Sequence, residues 1–260
     1  MDHRHWEVPG VTNRKTEGHS VDSSGREQAA GQAVLNVLQA SGPTRGLVLV
    51  LHGGKSTSLE PVRAHHLSPA RMVPFARRLH RAGRKHGLAV WSLRNSVRGW
   101  NGALASPLHD ARWALRRIEE QHPDVPVFLV GHSMGGLTAV RAAAHPQVDA
   151  VVALAPWFTP ETPASAVAGR KVLIVHGTLD RWTSPAQSLA FARRAAGDAA
   201  AMQYVALEGA GHFMLHRPWL WQTLTTGFVL KSFGETTGAG VAPYRDFARL
   251  LPESAVQVTL

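Results

Sequence analysis

Val125–Gly136 reads VPVFLVGHSMGG, an apolar run that breaks into glycine, histidine, serine, methionine and two more glycines. The run Val125–Val130 has the length and branched composition of a strand buried on both faces, and Leu137–Ala144 continues in a helical pattern. Gly131-His132-Ser133-Met134-Gly135 therefore presents the G-x-S-x-G spacing in a strand–turn–helix setting. Glycine is needed on either side because so sharp a turn leaves no room for neighbouring side chains. The Ser133 hydroxyl is then thrust out above a sheet at a helix N-terminus, where the helix dipole favours negative charge.

A serine hydroxyl is a poor nucleophile until a base takes its proton. In this arrangement the partners follow the serine in the chain, the acid first and the histidine last. Lys171–Val175 is a strand-like run leading into His176-Gly177-Thr178-Leu179-Asp180, which makes Asp180 the candidate acid. Asp149 and Asp198 fit less well, because Asp149 opens a strand and Asp198 lies in a helix-to-strand loop. Gln203–Leu207 leads into Glu208-Gly209-Ala210-Gly211-His212, which makes His212 the candidate base, while His216 reads as packing. Upstream, Leu47–Leu51 ends in His52-Gly53-Gly54. A loop there can offer the Gly54 amide to a developing oxyanion, with the Met134 amide as second donor. His52, His132 and His176 read as neighbours that shape these turns.

Working outward, apolar runs alternate with helical stretches at Gly46–Leu51, Leu88–Leu93, Val125–Val130, Val148–Leu154, Lys171–Val175 and Gln203–Leu207. Between them Met72, Phe75, Ala76 and Leu79 share one helical face, as do Leu108, Ala111, Leu115 and Ile118. Ser68-Pro69, Ser106-Pro107 and Ser184-Pro185 read as capped helix starts, the third with Gln187 completing a capping box. Repeated strand–helix alternation predicts an α/β fold, a mostly parallel sheet with helices on both faces. The expected organisation is a polar arm over 1–31, one domain over 32–233 and a C-terminal extension over 234–260. Gln32–Ala40 reads as an edge strand.

Taken in order, LVLVLHGG, GHSMGG, HGTLD and GAGH resemble the α/β-hydrolase family, in particular its small serine hydrolases and esterases. The resemblance covers about Gly46 to Phe233 and implies Ser133 as nucleophile, Asp180 as orienting acid and His212 as base. Many members insert a helical cap after the sixth strand. Here only Ala155–Gly169 separates Leu154 from Arg170, so a single-domain α/β-hydrolase fold without a large cap is expected. An open site of this kind would be walled by Lys55–Leu67, Asn95–Ala105 and Pro156–Ala168. Trp100, Trp157, Phe158 and Trp182 then fall near the mouth as candidate substrate-binding residues, suited to an apolar acyl or aryl group.

Composition narrows the remaining classes. The chain has 260 residues, 44% of them hydrophobic, which is ample for a core. It has no cysteine, which excludes disulfides, thiolate nucleophiles and Cys-ligated metals. No run approaches the roughly 18 apolar residues needed to span a bilayer. The opening MDHRHWEVPG lacks the apolar core of a secretory signal, so a cytoplasmic protein is expected. Lys and Arg number 28 against 18 Asp and Glu, a net charge of +10, and only 5 of the 28 are lysine. Many cluster between Arg63 and Arg117, including Arg77, Arg78, Arg81, Arg84 and Lys85, which read as a solvated helix face. No nucleic-acid-binding module accompanies them, and no H-E-x-x-H spacing supports a catalytic metal.

The expected activity is cleavage of carboxylic esters through an acyl-enzyme on Ser133, with a small ester or acyl compound as substrate and no cofactor. Two alternatives share the sequence. One is the same triad acting as a thioesterase, acyltransferase or peroxide-using relative, possible partners including an acidic carrier protein docked on the arginines. The other is a catalytically silent binding protein of the same fold.

Overall fold

The computed structural model describes residues 31–241, 245–251 and 257–260, so most of the 1–31 arm lies outside the described residues. Eight strands form one sheet: β1 (Val34–Leu38), β2 (Gly46–Leu51), β3 (Leu88–Arg94), β4 (Val127–His132), β5 (Val148–Leu154), β6 (Lys171–Gly177), β7 (Ala201–Leu207) and β8 (Gln257–Thr259). Their spatial order is β1-β3-β2-β4-β5-β6-β7-β8. Only β1 runs antiparallel, against β3, and it sits inside the edge segment read from Gln32–Ala40. The six central strands coincide with the six apolar runs to within two residues at either end.

The reason is visible in β2, where all six residues are buried and successive side chains enter opposite layers. Leu47, Leu49 and Leu51 pack towards α2 (Ser106–Gln121), α3 (Met134–Ala142) and α4 (Pro185–Ala195). Val48 and Val50 pack towards α1 (Leu67–Gly83) and α5 (Pro218–Thr237). Helices thus cover both faces, as a parallel sheet requires. On α1 the predicted face of Met72, Phe75, Ala76 and Leu79 is buried, while Arg77 and Arg81 on the helix and Arg84 and Lys85 in the turn just beyond it remain in solvent. Arg78 is half-buried and reaches across to Thr223 Oγ1 on α5 at 3.0 Å.

The C-terminal residues complete the second layer. Helix α5 continues to Thr237 and is buried on nearly every side. A short helix, α6 (Arg245–Leu250), then lays Phe247 against Gly227, where any Cβ would collide with the phenylalanine. Strand β8 adds parallel to β7, and Leu260 exchanges backbone hydrogen bonds with Ala206 and Glu208 at 2.9 and 2.8 Å.

Two of the predicted caps are not formed. Ser184 accepts from the Gln187 amide at 3.2 Å and caps α4 as expected. Helix α1, however, begins at Leu67 with His66 at the cap position, which carries Ser68 into the first turn. Helix α2 begins at Ser106 itself, whose hydroxyl accepts from the Asn101 side-chain amide at 3.2 Å instead of capping.

Between β5 and β6 the chain makes one 3-10 turn, Ala164–Val167, and no cap is built there. Among the described residues no helix is long and apolar enough to cross a membrane.

Candidate active site

The elbow at the end of β4 is enforced by close backbone approach. Ser133 sits at φ 56° and ψ −119°, a conformation an L-residue adopts only where its surroundings compel it. A Cβ on Gly131 would strike the Gly135 carbonyl, and one on Gly135 would strike the Leu51 carbonyl at the end of β2. Backbone bonds then lock the turn. Ser133 N–H donates to Leu154 O at 2.9 Å, and Trp157 N–H donates to Ser133 O at 3.1 Å.

Two further loops converge on this hydroxyl. Thr178 N–H donates to Leu207 O at 3.0 Å and Leu179 N–H to Ala210 O at 2.9 Å. Gly177 lies so close to Ala210 that a Cβ would overlap its carbonyl. These contacts clamp the loop after β6 to the loop after β7 and so bring Asp180 to His212. His212 Nδ1–H donates to Asp180 Oδ2 at 2.8 Å, and its Nε2 stands 3.0 Å from Ser133 Oγ as acceptor. The three residues singled out from the sequence are therefore in hydrogen-bond contact in the order Ser133, His212, Asp180.

Asp180 is surrounded by donors. Oδ1 accepts from the amides of Trp182 and Thr183 at 2.8 and 2.9 Å, and Oδ2 also accepts from Thr183 Oγ1 at 2.9 Å. His176 Nε2 lies 3.2 Å from the same Oδ2. Burial pushes this carboxyl up, but hydrogen bonds from His176, His212, Thr183 and Trp182 outweigh it and hold the group well below the usual carboxylate range. The carboxylate is thus kept ionised to accept from imidazole.

The loop after β2 is pressed against the elbow. A Cβ on Gly53 would lie 3.2 Å from Ser133 Cβ, and one on Gly54 would collide with the Arg98 carbonyl and the Met134 side chain. His52 fixes the loop by donating from Nδ1 to Gly53 O at 2.7 Å and accepting the Asn95 amide at Nε2, 3.1 Å away. Burial lowers its pKa to about 4, so it stays neutral and keeps this tautomer. His132 donates from Nε2 to His212 O at 2.9 Å, and burial, followed by the nearby His212, lowers its pKa to about 3. Both histidines therefore shape backbone, as their motif positions imply.

Above Ser133 opens a cavity of about 480 Å³. Gly54 and Met134 lie in its lining with the hydroxyl and His212. The Met134 amide belongs to the unsatisfied first turn of α3. Of the four aromatic residues proposed for the mouth, Trp157 and Trp182 line this cavity, and Trp182 is 73% exposed. The other two do not reach it. Trp100 is folded into the core under the Arg141 guanidinium, and Phe158 packs on Phe191 with centroids 4.5 Å apart. Their loops turn inward: Asn101 Nδ2 is bonded to Ser58 O and Gly99 O, both at 3.2 Å, and Thr159 N–H to Thr162 Oγ1 at 3.0 Å. Thr183, Phe213 and Arg71 also line the cavity and lie outside the sequence motifs. Only Thr183 carries a local signal, its place three residues after Asp180.

Sheet order, elbow and convergent loops give this chain the α/β-hydrolase fold, with no large cap among the described residues. A model of the serine aminopeptidase S33 family matches residues 86–172, about a third of the chain. Among solved structures, the Est1E protein of Butyrivibrio proteoclasticus is similar at 18% identity, with a TM-score of 0.58 over 78% of this chain and 94% of that one. Esterase 2 of Thermogutta terrifontis, solved phosphonylated by sarin, is similar at 17% identity, with a TM-score of 0.61 over 80% and 91%. A serine hydrolase of Xanthomonas campestris described as having no lid shares 17% identity, with a TM-score of 0.55 over 83% and 93%. No curated protein matches the sequence.

Proposed function

We propose that the chain is a serine hydrolase that cleaves carboxylic esters. The observation that carries this reading is the continuous contact from Ser133 Oγ through His212, at 3.0 Å, to Asp180, at 2.8 Å, beneath an open cavity. Ser133 Oγ attacks the ester carbonyl as its proton passes to His212 Nε2, and Asp180 holds the imidazole in the tautomer that can receive it. The Gly54 and Met134 amides receive the oxyanion, each such donor being typically worth about 10²–10³ in rate. Collapse of the tetrahedral adduct breaks the carbonyl–alkoxy bond, and His212 returns the proton to the leaving oxygen. Water, deprotonated by the same imidazole, then releases the acid and restores Ser133.

Labelling with a fluorophosphonate probe tests the reading, alongside turnover of 4-nitrophenyl esters. The expected result is labelling and turnover in the natural protein and neither in Ser133→Ala. A folded natural protein that is inert to the probe and to every ester overturns it.

A further inference from the structure

The cavity above Ser133 has two unlike walls. One is aromatic: Trp182 stacks towards His212 with centroids 6.3 Å apart, and Phe213 lies 5.4 Å from Trp182. The other, from the loop after β2 and the first turns of α1, presents Lys55, Ser56, Thr57, Ser68 and Arg71. Every polar side chain in that second group can donate a hydrogen bond, and two carry a full positive charge. Among the described residues no aspartate or glutamate lines the cavity.

Arg71 is the informative member. It is half-buried, and its guanidinium lies 4.7 Å above the Phe213 ring, beside His212. Among the described residues it has no carboxylate partner. Guanidinium groups removed from water are ordinarily paired, because an isolated charge loses hydration without compensation. Lys55 stands on a fixed backbone, its amide donating to Arg98 O at 2.8 Å and its carbonyl accepting from Trp100 N–H at 2.9 Å. The carboxylate in its field, Glu60, is held by Arg98 at 2.6 Å. Arg71 therefore faces the cavity without a carboxylate partner among the described residues, and the exposed Lys55, within the field of Glu60, adds a second positive charge to the same wall.

We propose that this cavity selects acyl substrates bearing a second anionic group, a carboxylate or a phosphate, which Arg71 and Lys55 receive while the reacting carbonyl lies at Ser133. The guanidinium fork suits either oxyanion in a bidentate pair, and the hydroxyls of Ser56, Thr57 and Ser68 supply further donors. Trp182 and Phe213 cover the apolar part of the same molecule. The selectivity rests on the ester-hydrolase reading above, but the anion-binding wall is separable from it by experiment.

The test compares kcat/KM for 4-nitrophenyl esters whose acyl chains end in a carboxylate, a phosphate monoester or an uncharged methyl ester. At least one anionic ester is expected to exceed the uncharged one about tenfold or more, the scale of one charge-assisted hydrogen bond. Whichever anion leads identifies the source. Arg71→Met should bring the anionic-to-uncharged ratio close to one. Arg81→Met, which removes the same charge from the exposed face of α1, should leave the ratio where it was. Equal turnover of all three esters, or a preference that survives in Arg71→Met with Lys55→Met, overturns the proposal. Calorimetric binding of the same esters to Ser133→Ala reads the wall without turnover. Tighter binding of an anionic ester, weakened by Arg71→Met, supports the proposal even if the natural protein fails to label. Equal or absent binding of all three overturns it.

Discussion

His176 Nε2 lies 3.2 Å from Asp180 Oδ2, the same carboxylate oxygen that His212 Nδ1 approaches to 2.8 Å. One carboxylate therefore serves two imidazoles, one facing the cavity and one wholly buried. The buried ring is fixed from its other side, where Ser188 Oγ lies 2.8 Å from His176 Nδ1. A carboxylate oxygen can only accept, so the hydrogen of this contact is on Nε2, which leaves Nδ1 to accept from Ser188. His176 therefore contacts the carboxylate that His212 also contacts without itself facing the cavity, which is the place of a positioning residue in the proposed reaction.

Replacing His176 by Leu should lower kcat about five- to thirtyfold with little change in KM, the loss expected when a neighbour of the acid is removed and the acid is not. His176→Gln, which can still donate, should recover part of the loss. A merely structural histidine would lower the melting temperature in both variants and leave kcat of the folded fraction alone.

Asp180→Asn should cost about 10⁴ in kcat, because an amide at this place can donate to His212 and favour the wrong tautomer. The same change disturbs bonds to Trp182, Thr183 and His176, so the melting temperature should fall as well. Ser133→Ala touches none of these bonds and should melt close to the natural protein. Steady-state kinetics beside thermal denaturation separates the two effects.

At the elbow, Gly135→Ala would drive a methyl group into the Leu51 and His52 carbonyls, which belong to the end of β2 and the loop after it and cannot give way. The variant should be insoluble, or folded with fluorophosphonate labelling lost. Gly197→Ala has open space around the new methyl group and should leave the melting temperature unchanged or slightly raised.

These variants also show which parts of the molecule are written locally. Each central strand is legible because it is buried on both faces, so its sequence is a continuous apolar run, as in Leu47–Leu51. Ser133, Asp180 and His212 are legible because each follows such a strand within a few residues, in a glycine-containing motif. Trp100 and Phe158 lie in the core and not at the mouth, a difference the sequence does not carry because an aromatic residue in a loop satisfies the same pattern facing either way. Hydrogen bonds of Asn101 and Thr162 decided between them. Ser106 failed as a cap because Asn101, five residues earlier, engages its hydroxyl. Arg71 was hidden in an arginine-rich helix, where only its neighbour Phe213, distant in sequence, distinguishes it from Arg77 and Arg81.

Stability should fall in acid in two stages, each set by a different group. His52 and His132 have pKa values lowered by burial to about 4 and about 3, against an ordinary value of 6.5. Between 6.5 and those values the unfolded chain takes up protons that the folded chain refuses, so stability is complete above 6.5 and declines as the pH falls. Each such histidine costs roughly 1.4 kcal/mol per pH unit, so the pair should remove about 2–4 kcal/mol by about pH 5. Asp180 acts in a lower window and in the carboxylate sense. Its folded pKa is depressed, so its contribution is present above the ordinary carboxylate range and is lost as the pH falls through and below that range. Urea denaturation at about pH 7.5, 5 and 3.5 checks both stages. His52→Gln, which keeps an acceptor for the Asn95 amide but cannot be protonated, should flatten the upper stage by about half. A denaturation midpoint that stays level from neutral pH to about pH 5 would show that neither histidine is held neutral by the fold.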